Sequence, residues 1–241
     1  MSFVGAGGKT SLLLHFAREL ASDGRPVLVT TTTQLADTRN GGEGNDVRIV
    51  FRPDLEPPAA GEVPADPEPL AGITLLVARP ADEAGKLKGI HPSHIARLRS
   101  TWGLVLVEAD GSRRLPIKAP APYEPVVPDE TDLVVGVIGL DALGWPMDER
   151  TVHRPGRFAA VTGCAPGDPI VWDHLVALAR HPEGLFARTH GRRVVLLNKV
   201  DESPFLPSPG QLSALDADLV LLSGEQDGGR YFFTARREPA R

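Results

Sequence analysis

Short apolar runs recur along the chain, with stretches between them that are long enough to hold helices. Most of these runs are rich in Val, Leu and Ile and lack strict alternation of apolar and polar positions. The predicted strands are Val27–Val29, Val47–Phe51, Ile73–Val77, Leu104–Val107, Leu133–Ile138, Val194–Leu197 and Leu219–Leu222. Continuous apolar runs are typical of parallel strands covered by helices on both faces. The pattern therefore predicts an α/β fold, a doubly wound, mostly parallel sheet of about 7–8 strands flanked by helices.

Two helices are predicted between these strands. The first covers Thr10–Ser22, which is amphipathic, and the second opens at Asp168 and Pro169 and continues to about Arg180. A strand is predicted at Ser2–Val4, before the first helix. It is shorter than a usual strand, which has about 5–6 residues. We therefore expect the first strand to be truncated in this sequence.

Three segments do not fit the alternation of strands and helices. Residues 39–46 are glycine-rich and residues 53–69 carry many prolines and acids, so both are predicted to be mobile loops rather than linkers. Residues 116–128 contain five prolines and are predicted to run extended over the surface. With no linker predicted, residues 1–241 are expected to form a single domain of P-loop NTPase-like type.

Composition and charge narrow the class of protein. No apolar run approaches the ~20 residues that a membrane span needs, so no membrane contact is expected. A formal net charge of -5 argues against broad contact with phosphate backbones, so no nucleic-acid partner is expected. The single cysteine, Cys164, excludes an intramolecular disulfide, and the chain enters a glycine loop too early for a signal peptide. A cytoplasmic location is therefore expected.

A glycine-rich loop follows the first predicted strand and leads directly into the first helix. Its glycines allow a close approach of the backbone, and its N–H groups with the helix N-terminus are expected to bind phosphate. The residues expected to contact the nucleotide here are Gly5, Ala6, Gly7, Gly8, Lys9, Thr10 and Ser11. Lys9 is expected to reach the β- and γ-phosphates, and the Thr10 hydroxyl to coordinate Mg²⁺.

The loop departs from both common phosphate-binding patterns. In G-x-x-x-x-G-K-[ST] the first glycine would stand at Phe3. The dinucleotide pattern G-x-G-x-x-G fails because Thr10 replaces its last glycine, and because the strand Val27–Val29 leads into threonines with no acid for a ribose. A nucleoside triphosphate is favoured, and the alternative is a glycine-rich turn without a ligand.

Two carboxylates follow the strand Leu104–Val107, at the edge where α/β sheets bind ligands. One of Glu108 and Asp110 is expected to hold Mg²⁺, and which of them does so stays open; with Lys9 they form the predicted catalytic set. Gly111 completes an E-x-x-G pattern and is expected to contact the γ-phosphate. Thr31 is a further metal candidate, with strand-end hydrogen bonding as an equal alternative.

A second motif follows the strand Val194–Leu197. Asn198-Lys199-Val200-Asp201 has the form N-K-x-D, which recognises guanine in GTPases. Asp201 can accept two hydrogen bonds from the N1 and N2 donors of guanine, which adenine cannot supply. Ser223, after a later strand, is expected to add a contact to the base. GTP is therefore the favoured nucleotide, with ATP or CTP possible.

The chain resembles the YqeC family over nearly its whole length. The resemblance rests on the glycine loop, the Thr30 cluster, residues 108–114, the proline-bearing residues 118–128, residues 139–144, residues 152–155 and Asn198–Asp201. Members of that family are described as accessory proteins for selenium-dependent hydroxylases. The resemblance implies a maturation factor whose partner is a molybdenum hydroxylase or its cofactor-assembly machinery. The E-x-x-G and N-K-x-D motifs also resemble those of GTPases that assist metallocentre assembly, such as the nickel-insertion class.

The overall hypothesis is a Mg²⁺-dependent nucleoside triphosphatase, with two alternatives that use the same loop. A small-molecule kinase would need an acceptor pocket, and a nucleotide-dependent chaperone would bind tightly without hydrolysis. Arg113, Arg114 and Lys118 are candidates for binding a second anionic ligand, or else a solvated basic stretch. His153 and Arg154 are either near the ligand or structural.

Overall fold

The structure, a computed structural model, describes residues 1–37, 46–56, 65–83 and 85–235. The strands are β1 (Ser2–Gly5), β2 (Pro26–Thr31), β3 (Gln34–Ala36), β4 (Val47–Phe51), β5 (Gly72–Val77), β6 (Arg79–Pro80), β7 (Lys86–Lys88), β8 (Val105–Glu108), β9 (Ile117–Lys118), β10 (Leu133–Gly139), β11 (Val152–His153), β12 (Arg192–Asn198), β13 (Leu219–Gln226) and β14 (Gly229–Ala235). The helices are α1 (Lys9–Ala21), α2 (Ile95–Trp102), α3 (Pro155–Thr162), α4 (Trp172–Arg180) and α5 (Pro209–Ser213). Within the described ranges, no helix is long and apolar enough to cross a membrane.

The prediction of an α/β fold with a large, mostly parallel sheet is confirmed, and nine described strands belong to that sheet. The chain divides into two compact units. The first unit is Met1–Phe3, Lys9–Gly111 and Val126–Thr131, and the second is Val4–Gly8, Ser112–Pro125 and Asp132–Arg241. The single domain expected over residues 1–241 stays a prediction.

In the first unit the strand order is β1-β8-β2-β5-β4, and every neighbouring pair is parallel. Helices α1 and α2 pack against these strands. Part of the core is a cluster in which Leu28 and Leu76 of the sheet lie with Leu98 and Trp102 of α2. Strands β3, β7 and β6 form a small antiparallel sheet in the same unit.

In the second unit β10, β12 and β13 are parallel neighbours, and β14 pairs antiparallel with β13 at the edge. The carboxyl ends of β10 and β12 are level, because Gly139 pairs with Asn198. Strands β9 and β11 form a separate parallel pair, and helices α3 and α4 pack on each other. This arrangement places the residues after β10 and β12 side by side.

The predicted start of the second helix is wrong, because α4 begins at Trp172. The segment before it pairs with residues 144–147: Met147 N–H donates to the Asp168 carbonyl at 2.8 Å, and Ile170 N–H to the Trp145 carbonyl at 2.9 Å. Asp168 therefore lies in a bend beside residues 144–147 rather than at a helix cap. The first helix matches its prediction to within one residue at each end.

The proline-rich segments differ from their predictions where they are described. Most of the loop predicted at 39–46 and the middle of that at 53–69 lie outside the described residues. Pro53–Leu55 forms a turn of 3-10 helix, with Leu55 fully buried. Residues 116–128 were expected on the surface, but Lys118, Ala119 and Glu124 are buried. The expectation fails because this segment supplies β9 and a buried ion pair.

Candidate nucleotide-binding site

Backbone hydrogen bonds hold the glycine loop that follows β1 in the second unit. Ala6 N–H donates to the Val137 carbonyl at 2.9 Å, and Gly7 N–H donates to the Leu115 carbonyl at 3.1 Å. A Cβ atom on Gly7 would lie 2.2 Å from the Gly139 nitrogen, which no real contact permits. The first part of the loop is therefore fixed in place by its neighbours.

Gly8 is the exposed residue of the loop, and it precedes the helix α1 that begins at Lys9. Its φ of +106° lies in a region that L-residues rarely adopt, and a Cβ atom there would lie 2.6 Å from Asn198 Nδ2. The first N–H groups of a helix have no partner within the helix and favour anions. The N-terminus of α1, a helix of 13 residues, is therefore suited to an anion.

In the first unit, the two predicted carboxylates have different partners. The Thr10 hydroxyl donates to Glu108 Oε2 at 2.7 Å, and Lys9 Nζ lies 3.1 Å from Asp110 Oδ1. The side chains of Lys9 and Asp110 are each only 2% exposed. A carboxylate beside a hydroxyl offers the hard oxygen ligands that Mg²⁺ prefers. The donor set of Thr10 and Glu108 fits that ion.

Thr31 lies at the end of β2 and is tied to the main chain. Its hydroxyl donates to the Glu108 carbonyl at 2.7 Å and accepts from Thr33 N–H at 3.1 Å. This geometry is typical of strand-end hydrogen bonding. Ser11 is half-buried on α1, and a Cβ atom on Gly111 would meet open space, so neither residue is closely packed there.

Asn198 joins the second motif to the glycine loop inside the second unit. It is 2% exposed, and its Nδ2 donates to the Gly7 carbonyl at 2.7 Å. Its Oδ1 accepts from Ser223 Oγ at 2.7 Å and from Arg230 Nη1 at 2.9 Å. The loop glycine and the N-K-x-D motif, which are 191 residues apart in sequence, are thus in direct contact.

Lys199 has a left-handed backbone, with φ 62°, and its Nζ lies 2.7 Å from Asp141 Oδ2. Burial disfavours the charged form of Lys199, but the hydrogen bond and the charge of Asp141 outweigh it and raise the pKa of Lys199. The ammonium group is therefore fixed and charged.

Asp201 is exposed on the 3-10 turn that follows β12, and its Oδ1 accepts from Glu225 N–H at 3.1 Å. Gly224 leaves room beside this carboxylate, because a Cβ atom there would lie 2.3 Å from Asp201 Oδ1 and 2.4 Å from Tyr231 Oη. The carboxylate is held in one orientation next to a phenol ring.

Comparison with known proteins identifies the family of this chain. The family model described as "YqeC protein" matches residues 1–156, more than half of the chain. The chain belongs to the YqeC family. It is also 36% identical over 208 residues to a protein of Escherichia coli (strain K12) described as "Uncharacterized protein YqeC", covering 84% of this chain and 76% of that protein. No solved structure matches.

The family match includes the glycine loop and Glu108–Gly111, whereas Asn198–Asp201 lies beyond it. Sequence reasoning missed two polar residues of this YqeC chain that contact the second motif, Asp141 and Arg230. Asp141 follows β10, and its position after an apolar run could have suggested it. Arg230 lies in β14, which no apolar run predicted.

Proposed function

We propose that this YqeC protein binds a nucleoside triphosphate with Mg²⁺, with GTP the favoured nucleotide. The observation that carries the proposal is the hydrogen bond from Asn198 Nδ2 to the Gly7 carbonyl at 2.7 Å. This bond joins the glycine loop, whose pattern predicts phosphate binding, to the N-K-x-D motif, whose pattern predicts guanine binding. A glycine turn with a purely structural role would have no need of a guanine motif on its carbonyl.

The phosphates would lie on the exposed Gly8 and the first amides of α1. Lys9 would exchange its ion pair with Asp110, now 3.1 Å away, for contact with the β- and γ-phosphates. Thr10 and Glu108 would hold Mg²⁺, which supplies charge neutralisation on the phosphate oxygens when bound. Asp110, released from Lys9, would then be the second candidate for a carboxylate ligand of the metal.

The base would be recognised by Asp201. A carboxylate has two oxygens with acceptor capacity for the N1–H and N2–H groups of guanine, even though Oδ1 also accepts from Glu225 N–H. Lys199, held by Asp141, places an alkyl stem and a fixed charge on the same motif. Adenine has no matching pair of donors, so the expected preference is for GTP.

The cellular role that we propose is an accessory factor in the maturation of selenium-dependent molybdenum hydroxylases. It rests on the family resemblance, and its client is a hydroxylase or the machinery that assembles its cofactor. Loss of the γ-phosphate would act on Gly111, which follows the two carboxylates and has open space around its Cα. Hydrolysis would then change the segment that follows Gly111.

Calorimetry with GTP, ATP and CTP in the presence of Mg²⁺ tests the nucleotide proposal. Lys9→Ala should weaken the binding of all three nucleotides, and an unchanged affinity would overturn the proposal. Asp201→Asn should lose the preference for GTP and gain affinity for xanthosine triphosphate, because xanthine carries a carbonyl where guanine has its amino group. Glu202→Gln, the next residue of the turn, is the control and should keep the preference.

Product analysis completes the test, because it separates a triphosphatase from a kinase. Release of inorganic phosphate in the presence of a client supports the proposed function. A phosphorylated small molecule would instead identify a kinase, and tight binding without any turnover would identify a nucleotide-dependent chaperone. Binding of ATP or CTP in preference to GTP would show that Asn198–Asp201 has a structural role only.

A further inference from the structure

The first unit contains a cavity of about 250 Å³ that is lined in part by residues at the ends of β2 and β7. Backbone hydrogen bonds join these two ends. Gly89 N–H donates to the Thr33 carbonyl at 2.8 Å, and the next N–H, that of Ile90, donates to the Thr31 carbonyl at 2.9 Å. A Cβ atom on Gly89 would lie 2.1 Å from the Thr31 carbonyl oxygen, a spacing that only glycine allows. One wall of the cavity is therefore held by the main chain.

Lys88 and Glu56 bring opposite charges to the cavity. Lys88 Nζ lies 2.8 Å from Glu56 Oε1, and the two side chains are 39% and 24% exposed. The same oxygen of Glu56 accepts from Arg79 Nε at 3.1 Å, so the carboxylate has a second cationic partner. An ammonium group has three N–H donors, and within the part of the chain that the structure describes Lys88 uses one of them, on Glu56. Lys88 therefore has donors left for a ligand while it keeps its ion pair.

His91 also lines the cavity and adds a donor of another kind. Ser93 N–H donates to His91 Nδ1 at 3.3 Å, and because a backbone N–H can only donate, Nδ1 is the acceptor nitrogen of the ring. In the neutral ring the proton is therefore on Nε2, which has no hydrogen-bond partner among the described residues. The backbone of His91 is fixed, since its N–H donates to the Leu55 carbonyl at 2.7 Å.

Other walls of the cavity are apolar or already hydrogen-bonded. Ile90 is 1% exposed, and Pro92 and Val126 add further apolar surface. The Thr32 hydroxyl donates to the Val126 carbonyl at 2.7 Å, so its proton is engaged. The unused lysine and histidine donors beside these walls therefore suit a ligand that accepts hydrogen bonds and has an apolar part.

The cavity adjoins the strand end that carries Glu108. Thr32 N–H donates to the Glu108 carbonyl at 3.2 Å, and Val126 N–H donates to the Ala109 carbonyl at 2.9 Å. Thr32 and Val126 both line the cavity. A ligand bound there would lie at the carboxyl ends of parallel strands, which is where open α/β sheets bind ligands.

We propose that this cavity is a site for a small organic carboxylate, held by Lys88 and His91. The two oxygens of a carboxylate only accept hydrogen bonds, which matches the N–H donors of these side chains. The alkyl part of the ligand would lie against Ile90, Pro92 and Val126. The volume is below the about 300–1,000 Å³ of pockets for drug-sized ligands, so the ligand has few carbons. The site goes beyond the proposed nucleotide binding and does not depend on it.

Proton NMR of the His91 ring, assigned with His91→Gln, tests this site with butyrate as the probe. The full chain is titrated with sodium butyrate at constant pH, against sodium chloride at equal ionic strength. A saturable shift of the His91 signals is expected, and affinity should rise from acetate to butyrate by up to about fourfold for each buried CH₂ group. The absence of a saturable shift, equal affinity for acetate and butyrate, or tighter binding of inorganic phosphate would overturn the proposal.

Two lysines of β7 supply a variant and its matched control. Lys88→Met removes the ammonium group but keeps an unbranched side chain, and Glu56 retains Arg79, so butyrate binding should weaken about tenfold in a folded protein. Lys86→Met is the control, because Lys86 Nζ also pairs with an acid, Glu83, at 2.8 Å but does not line the cavity. Unchanged binding in Lys88→Met, or an equal loss in Lys86→Met, would contradict the site.

Lys9→Ala separates this site from the phosphate loop. The His91 shift with butyrate should be retained in Lys9→Ala, even if that variant no longer binds a nucleotide. Loss of the shift in Lys9→Ala would place the carboxylate at the glycine loop and overturn the second site. Failure of the nucleotide proposal would leave the shift unaffected, so the two failures are distinguishable.

Discussion

Replacing Asn198 with alanine should strongly lower the free energy of unfolding. Asn198→Ala removes the donor to the Gly7 carbonyl and the acceptor shared by Ser223 and Arg230, in a side chain that is 2% exposed. A neutral hydrogen bond contributes about 1 kcal/mol to stability and one to a charged group about 1.5–3 kcal/mol. The expected loss in the free energy of unfolding is therefore about 3–5 kcal/mol.

Urea unfolding followed by circular dichroism measures this loss, with Ser223→Ala as the matched control. Ser223→Ala removes one of the three hydrogen bonds and should cost about 1 kcal/mol. The double variant should cost less than the sum of the two single variants, because both act on the same bond. The reasoning would be refuted if Asn198→Ala cost no more than Ser223→Ala.

Three further predictions concern single positions. Gly8→Ala should cost about 1–3 kcal/mol in unfolding free energy, because its Cβ would lie 2.6 Å from Asn198 Nδ2 at a φ of +106°; unaltered stability in urea would contradict this. Thr10→Val should reduce the Mg²⁺-dependent gain in GTP affinity about tenfold in calorimetry, with little effect when Mg²⁺ is omitted. Glu124→Ala should cost about 3–5 kcal/mol, because it leaves Lys118 buried without its anion, and a loss below 1 kcal/mol would count against the ion pair.

The strands that could be predicted from the sequence are those formed by continuous apolar runs. All seven predicted runs overlap strands of the large sheet, because buried parallel strands need apolar residues on both faces. Strand β14 lies at the edge of the sheet beside β13, and its apolar run covers only Tyr231–Phe233, between Arg230 and Thr234. Helices α2 and α3 have eight residues each, too few to establish a helical period.

The candidate site also combines motifs made of neighbouring residues with contacts between residues that are far apart in sequence. The spacing within each motif depends on neighbouring residues, so the loop, the two carboxylates and the N-K-x-D motif were recognisable. The pairing of Thr10 with Glu108 spans 98 residues, and neither motif specifies which acid the hydroxyl meets. Arg230 reaches Asn198 only because β14 folds back along β13, which no sequence pattern indicated.

Burial of His153 and the charges of Arg154, Lys118 and Arg113 also predict how stability depends on pH. The pKa of His153 falls from its ordinary 6.5 to about 4, so the unfolded chain binds a proton at this position before the folded chain does. Stability is therefore lost as the pH falls from about 6.5 to 4, by about 3 kcal/mol at 1.36 kcal/mol for each pKa unit. Glu124, with its pKa lowered from 4.5 to about 2, contributes stability above pH 4.5 that is lost as the pH falls through 2.

Urea unfolding at pH 7, 5.5 and 4.5 separates these two groups, because between pH 7 and 5.5 the contribution of His153 to stability changes whereas that of Glu124 does not. In His153→Gln the slope of stability against pH should be smaller than in the unsubstituted protein, whereas His190→Gln, at an exposed histidine, should keep the original slope. Equal slopes in the unsubstituted protein and His153→Gln would mean that neither burial nor the nearby positive charges lower the pKa of this imidazole.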